Sequence, residues 1–175
     1  MTTVNFKGNP VAIKGALPSI GNQAPDFTFV KSDLSEGKLS DYKDMIKVII
    51  AVPSLDTGVC NTETRRFNEL LGNKEGVIGI VISKDLPFAM KRFCETEGVK
   101  NIVTASDFRY DDFSKQYNTE MTEGLLKGLS SRAVFVIDKN NSINFVELVA
   151  EVTTEPAYEK VLSAVDNLVA KNTLT

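Results

Sequence analysis

The sequence of 175 residues contains no histidine. Histidine is the side chain that most often exchanges a proton near neutral pH, so its absence excludes catalysis by a Cys–His pair or a Ser–His–Asp triad. Only two cysteines are present, and alone they cannot supply the four ligands of a structural zinc site. The sequence therefore predicts no zinc site of the common cysteine and histidine type.

Four other features are missing. The N-terminal segment has no basic start followed by an apolar run, and no stretch approaches the roughly 18 apolar residues that a membrane span needs. A basic excess is absent too, since 20 Lys and Arg stand against 23 Asp and Glu, which argues against nucleic acid as a partner. Two cysteines do not form the dense disulfide framework of a small secreted domain. We therefore expect a cytosolic protein with reduced cysteines and no membrane or nucleic-acid partner.

The residues that are present have the composition of a folded domain. Of the chain, 42% is hydrophobic and 25% is charged, and its length suits a single domain over residues 1–175. Three apolar runs rich in β-branched residues predict strands covered by helices on both faces, at 46–52, 77–82 and 133–137. Weaker strand patterns predict a hairpin at 4–13, with Gly8 and Asn9 in its turn, and strands at 27–30 and 142–152.

Helical patterns lie between and after these strands. One helix is predicted to begin near Cys60 and to end at residue 72 or 73. The next is predicted to begin with Asp85 as its cap and Pro87 in its first turn, and to end at Gly98. Two more helices are predicted, at 111–117 and 155–172. Strands that alternate with helices predict an α/β layered domain.

Cys60 follows the first buried run by eight residues and stands where the next helix begins. Backbone N–H groups at a helix N-terminus have no partners within the helix, and the helix dipole is positive there, so a thiolate is stabilised at this position. The thiolate is the nucleophilic form of cysteine. The other interpretation is that Cys60 is a small buried hydrophobic residue, as most free cysteines are.

Two residues of the preceding loop bear on this chemistry. Thr57 stands three residues before Cys60, and its hydroxyl can turn toward the thiolate. A threonine at this spacing is equally suited to cap the helix, and the spacing does not decide between the two roles. Pro53 fixes the backbone of the loop and offers no N–H of its own.

The segment PSLDTGVC, which ends at Cys60, resembles the peroxiredoxin signature P-x-x-x-T-x-x-C and in particular its thiol peroxidase branch. Four other stretches resemble the same family in the expected order: FKGNPV, DLPFAMKRFC, LLKGLSSRAVFVID and VTTEPAYEKVL. The chain is thus similar along almost its whole length to atypical two-cysteine peroxiredoxins. The resemblance implies a thioredoxin-like α/β fold, with a central mixed sheet flanked by helices and an N-terminal β-hairpin.

The resemblance also implies a role for each of five residues. Cys60 matches the cysteine that attacks the peroxide, Thr57 the hydroxyl that contacts it, and Pro53 the residue that shields it. Arg132 matches the arginine that stabilises the thiolate and orients the peroxide. A permanently charged guanidinium is a suitable substitute for the missing imidazole, because it also donates hydrogen bonds to the leaving oxygen. Cys94 matches the resolving cysteine.

Arg132 and Cys94 each have a plainer interpretation. Arg132 stands at the start of a predicted strand, where an arginine commonly forms a surface ion pair. Cys94 lies four residues after Met90, a spacing typical of the core face of a helix. Both interpretations of Cys94 are compatible if it is buried when reduced and released when its helix loosens. Because a disulfide needs Cα atoms within roughly 7 Å, we expect bond formation to unwind part of the helix around residues 85–97.

The reaction that the resemblance implies is the reduction of hydrogen peroxide and organic hydroperoxides without a metal or organic cofactor. Cys60 becomes a sulfenic acid, forms an intramolecular disulfide with Cys94, and is recycled by thioredoxin. The resemblance also implies a homodimer. One alternative is a dithiol oxidoreductase acting on protein disulfides, which the 33 residues between the cysteines disfavour because such enzymes use C-x-x-C. The other is a redox sensor built on the same fold.

Two positions depart from the family pattern. Asn118 and Leu125 stand where glycine and proline are expected. Both precede Arg132 in the same loop region, so we expect them to affect the shape of the substrate entrance rather than the chemistry.

Overall fold

The computed structural model describes residues 2 to 173 and contains, within that range, nine strands, four α-helices and a short 3-10 helix at Leu39–Tyr42. The strands are β1 (Thr3–Phe6), β2 (Asn9–Ala12), β3 (Thr28–Lys31), β4 (Glu36–Lys38), β5 (Ile46–Ala51), β6 (Val77–Ser83), β7 (Val103–Ser106), β8 (Ala133–Ile137) and β9 (Ile143–Leu148). The helices are α1 (Gly58–Leu71), α2 (Pro87–Glu97), α3 (Asp112–Tyr117) and α4 (Tyr158–Thr173).

Seven of these strands form one mixed sheet in the order β4-β3-β7-β6-β5-β8-β9. At its centre β5 runs parallel to β6 and antiparallel to β8, with Ile49 opposite both Ile80 and Phe135. The remaining two strands, β1 and β2, form a separate antiparallel hairpin. A mixed sheet with flanking helices and an N-terminal hairpin confirms the predicted fold class.

The two faces of the sheet carry separate apolar clusters, which explains why β5 is apolar at consecutive positions. Ile46, Val48 and Ile50 of β5 belong to the cluster that includes buried residues of α1, α2 and α4. Ile49 and Ala51 belong to the opposite cluster, which includes Phe113 and Tyr117 of α3. Because helices cover both faces, every residue of β5 is buried.

The start of α2 differs from the prediction. Its N-cap is Leu86, with Pro87 as the first helical residue, and the predicted cap Asp85 lies outside the helix. The Asp85 carboxylate instead accepts hydrogen bonds from the hydroxyls of Ser54 and Ser83 and from the backbone N–H of Leu55. Two of these partners, Ser54 and Leu55, lie on a distant segment of the chain, so the local spacing that suggested a cap was misleading.

Other differences concern boundaries and short elements. The hairpin turn lies at Lys7 and Gly8, both with positive φ, while the predicted turn residue Asn9 already belongs to β2. The last strand is shorter than the predicted 142–152, and α4 begins later than residue 155. The strands β4 and β7 were not predicted, because Glu36–Lys38 contains no apolar residue and Val103–Ser106 contains no run of consecutive apolar residues.

The two departures from the family pattern have simple structural accounts. Asn118 ends α3 with a φ of 57°, a left-handed conformation that glycine favours and asparagine tolerates. Its side-chain amide also donates a hydrogen bond to the carbonyl of Ala16. Leu125 is 91% exposed, and the side chains that reach the cavity described below come from Leu126 and Leu129.

Candidate active site

The buried strand β5 and the start of α1 fix the position of Cys60. The chain leaves β5 at Ala51, crosses a short loop and enters α1 at Gly58, so that Cys60 is the third residue of the helix. Its side chain is completely buried. Cys60 therefore lies in the first turn of α1, at the positive end of the helix dipole, as the sequence predicted.

Thr57 is the N-cap of α1. Its hydroxyl oxygen accepts a hydrogen bond from the backbone N–H of Cys60 at 3.3 Å and its hydroxyl donates to the carbonyl of Ser54 at 3.1 Å. Of the two roles left open by the sequence, capping is the one that these hydrogen bonds display. Thr57 also lines a cavity that has Arg132 in its wall, so a capping role does not remove it from the site.

Arg132 lies against Cys60, although 72 residues separate them in the chain. Its Nη1 donates to Cys60 Sγ at 3.2 Å, while Nε and Nη2 both donate to the carbonyl of Val152, at 3.0 and 2.8 Å. The arginine is only 1% exposed, so the interpretation as a surface ion pair is wrong. Two bonds to one carbonyl fix the guanidinium plane and aim its remaining donor at the sulfur.

Glu63 is the residue of this site that sequence reasoning missed. Its Oε2 accepts a hydrogen bond from Arg132 Nη1 at 2.5 Å, and its Oε1 is buried without a hydrogen-bond partner. Burial raises the pKa of Glu63 to about 7, and the neighbouring Arg132 opposes that rise only in part. A signal was available, because Glu63 follows Cys60 by three residues and therefore shares its face of α1.

A cavity of about 270 Å³ adjoins this cluster. Three of the five predicted site residues, Pro53, Thr57 and Arg132, line it. Its other walls are mainly apolar: Phe6, Gly58, Val59, Leu126, Leu129, Val152 and Thr153. A small molecule with one polar end therefore has room here, with its polar end toward the guanidinium and the loop before α1.

Cys94 lies outside this cavity. It is half-buried on α2, and its Sγ is 3.9 Å from the hydroxyl oxygen of Thr104. Both cysteines are free thiols, and Cys94 packs against the same apolar cluster that contains Cys60. Burial raises the pKa of the Cys94 thiol. The structure thus brings Pro53, Thr57, Cys60 and Arg132 together and keeps Cys94 on a separate helix.

Polar contacts at both ends of α2 link it to the segment that carries Cys60. Before α2, the Asp85 carboxylate accepts hydrogen bonds from Ser54 Oγ at 2.7 Å and from the N–H of Leu55 at 2.8 Å. At the last residue of α2, Glu97 accepts a hydrogen bond from the side-chain amide of Asn61 at 3.2 Å and lies 3.6 Å from Arg65. Any movement of α2 toward Cys60 must break or rearrange these contacts.

Among residues 2 to 173, no cluster of three or more Cys, Asp or Glu side chains is arranged to hold a metal ion. Over the same described range, no helix is long and apolar enough to cross a membrane.

Comparison with known proteins gives consistent matches. The family model described as Redoxin matches residues 19–162. A thiol peroxidase of Leptospira interrogans (serogroup Icterohaemorrhagiae serovar copenhageni) is 54% identical over 166 residues, which cover 94% of this chain and 97% of the relative. A thiol peroxidase of Aquifex aeolicus is 50% identical over 167 residues, covering 95% and 98%.

Solved structures agree. A peroxiredoxin-like protein from Aquifex aeolicus superposes with a TM-score of 0.91 at 49% identity, covering 95% of this chain and 96% of that one. A thiol peroxidase from Chromobacterium violaceum superposes with a TM-score of 0.87 at 23% identity, covering 94% and 95%. The second similarity concerns the fold alone.

Proposed function

The chain belongs to the redoxin family and is a thiol-dependent peroxidase, and we propose that Cys60 is the thiol that attacks the hydroperoxide. The observation that carries this assignment is the hydrogen bond from Arg132 Nη1 to Cys60 Sγ, at 3.2 Å, beside a cavity that admits a small molecule. A buried guanidinium and a helix N-terminus both favour the thiolate. They perform the work that an imidazole performs in histidine-containing thiol enzymes.

In the proposed first step, Cys60–S⁻ attacks the terminal oxygen of the hydroperoxide. The O–O bond breaks, the sulfur becomes a sulfenic acid, and the leaving oxygen takes up a proton to become water or an alcohol. Arg132 donates hydrogen bonds to the negative charge as it moves from sulfur to the leaving oxygen. Thr57 contacts the peroxide, and Pro53 shields the site from water; both line the cavity.

In the second step, the Cys94 thiol condenses with the sulfenic acid, water leaves, and a Cys60–Cys94 disulfide forms. Cys60 is completely buried and Cys94 packs on a different helix, and we propose that the two sulfurs meet after part of α2 unwinds. The raised pKa of Cys94 supports this order, because burial keeps its thiol protonated until the helix opens. The contacts of Asp85 and Glu97 hold α2 in place until then.

The third step needs a dithiol reductant, and we propose thioredoxin. A thiolate of the reductant attacks the disulfide, and a second thiol resolves the mixed disulfide. This cycle suits the cytosol, where thiols are kept reduced. Steady-state peroxide consumption with thioredoxin and thioredoxin reductase tests the partner, and a rate no higher than that with glutathione would contradict it.

We further propose that the protein is a homodimer. Phe88 and Phe108 are 66% and 63% exposed and line one groove, and an exposed apolar patch of this kind is typical of a protein contact. Replacing Phe108 with Asp should lower the molar mass measured by light scattering from dimer to monomer. Ile20→Asp is the control, because Ile20 is similarly exposed (64%) but lies outside the groove.

The decisive experiment treats the reduced protein with one equivalent of hydrogen peroxide and maps the products by mass spectrometry. The wild type should form a Cys60–Cys94 disulfide. Cys60→Ser should consume no peroxide, whereas Cys94→Ser should consume one equivalent, stop at the sulfenic acid and fail to turn over with thioredoxin. Full turnover by Cys60→Ser would contradict the assignment of the nucleophile, and full turnover by Cys94→Ser would contradict the assignment of the resolving residue.

A further inference from the structure

Two acidic side chains share one donor atom in the buried site. Arg132 Nη1 is hydrogen-bonded to Cys60 Sγ at 3.2 Å and to Glu63 Oε2 at 2.5 Å. Cys60 and Glu63 are both completely buried. If both were ionised, two negative charges would face one positive charge away from water.

The charges around Glu63 oppose its ionisation. Burial is the largest cause of its raised pKa, and the carboxylates of Glu147 on β9 and Glu155 before α4 raise the pKa further. Arg132 is the cation that lowers it. From α4, Tyr158 also faces Glu63, with Arg66 over its ring. The single guanidinium of Arg132 can neutralise one negative charge, so ionisation of both Cys60 and Glu63 would leave one buried charge uncompensated.

We propose, building on the function proposed above, that Cys60 and Glu63 share a single proton: Glu63 is the neutral acid while Cys60 is the thiolate, and Glu63 ionises once Cys60 is oxidised. The unpartnered Oε1 of Glu63 fits this assignment. A carboxylate oxygen that carries charge and accepts no hydrogen bond costs more free energy than the oxygen of a neutral carboxyl group. Glu63 acts on the reaction through Arg132 and is a positioning residue.

The proposal fixes the proton balance of the reaction. The reactants are Cys60–S⁻, Glu63–COOH, Cys94–SH and ROOH. The products are the Cys60–Cys94 disulfide, Glu63–COO⁻, ROH and one water. The proton that neutralises the leaving oxygen is thus matched by the proton that Glu63 gives up, and the solution supplies none. When Cys60 is oxidised it loses its charge, and Arg132 then pairs with the Glu63 carboxylate.

Glu63→Gln changes this balance, because glutamine has no proton to release. We would oxidise each reduced variant with one equivalent of peroxide in weak buffer containing a pH indicator, at a pH just below neutral, and would measure the thiolate of each variant by its ultraviolet absorbance. The wild type should take up almost no protons, whereas Glu63→Gln should take up one proton per disulfide formed. Glu69→Gln, at an exposed position of the same helix, should behave as the wild type.

A second measurement observes the carboxyl group without turnover. The infrared spectrum of the reduced wild type should contain a protonated-carboxyl band that is absent from Glu63→Gln. The band should also be absent from Cys60→Ser, because a neutral serine leaves Arg132 free to pair with the Glu63 carboxylate. A structural role of Glu63 alone would not make its protonation depend on Cys60.

The outcomes separate this inference from the proposed function. Uptake of one proton per disulfide by the wild type, or a carboxyl band of equal strength in Cys60→Ser, would overturn the shared proton and leave the peroxidase assignment intact. Failure of peroxide to form any disulfide would overturn the proposed resolution step, and the infrared comparison would still decide the state of Glu63.

Discussion

The raised pKa of Glu63 predicts an unusual pH dependence of stability. In the folded protein the pKa is about 7, against an ordinary value of 4.5, so between these pH values the folded state binds a proton that the unfolded state has lost. Taken alone, this proton makes the free energy of unfolding fall as the pH rises through this window. At 1.36 kcal/mol per unit of pKa, the loss amounts to about 3 kcal/mol. Below pH 4.5 this contribution is fully present.

The proposed Cys60 thiolate opposes this effect, because the unfolded chain keeps that thiol protonated in the same window, and few other groups contribute. The chain has no histidine, the residue that ordinarily titrates in this window. Hydrogen bonds from the backbone N–H of Gly8 and from the hydroxyl of Thr153 hold the pKa of Glu151 down to about 2, so its stabilising contribution is lost only as the pH falls below about 4.5. With one proton on Glu63 in the folded state and one on Cys60 in the unfolded state, the two contributions cancel, so the wild type should show almost no slope between pH 5 and pH 7.

The assay is urea unfolding of the reduced protein at several pH values between about 5 and 7.5, with reductant present. The wild type should give a nearly flat profile, and Glu69→Gln should follow it. Glu63→Gln should gain stability with rising pH, because only the difference in the Cys60 proton between the folded and unfolded states remains. Parallel profiles for the wild type and Glu63→Gln would refute the reasoning, because they would show that the Glu63 proton is bound equally by the folded and unfolded states.

Three further predictions concern groups around the thiol. Arg132→Met should slow the reaction with peroxide by about 10- to 100-fold, since a hydrogen bond to a charged group contributes about 1.5–3 kcal/mol. The rate of Arg132→Lys should lie between those of the wild type and Arg132→Met. An undiminished rate of Arg132→Met in stopped-flow measurements would contradict the role of Arg132 in stabilising the thiolate. Thr57→Ala should lower the free energy of unfolding by about 1 kcal/mol through loss of the cap, with Thr57→Ser close to the wild type; equal melting of all three proteins would argue against capping. Asp85→Asn should accelerate Cys60–Cys94 disulfide formation, because it weakens the contacts to Ser54 and Leu55 that hold α2 in place. The rate is measured by acid quenching and mass spectrometry, and a rate equal to that of the wild type would contradict this role of Asp85.

Much of the fold was readable from local patterns. The runs that became β5, β6 and β8 were recognisable because burial on both faces requires apolar residues at consecutive positions. Helix ends were predicted where one residue sets the boundary: Gly98 ends α2 in the left-handed conformation, as expected. The strand β7 was missed because its sequence, VTAS, contains no run of consecutive apolar residues.

The sequence by itself determined that Cys60 stands at a helix start after a buried strand, and that no imidazole is available to activate it. Only the tertiary structure decided how Arg132, Glu63 and Asp85 are used. Arg132 contacts Cys60, which is 72 residues away in the chain. Asp85 is not the expected helix cap, and its carboxylate instead accepts a hydrogen bond from Ser54, 31 residues away. Periodicity reports which face of an element is buried, but the partners of a buried charge are set by how distant segments pack, and no local pattern records that.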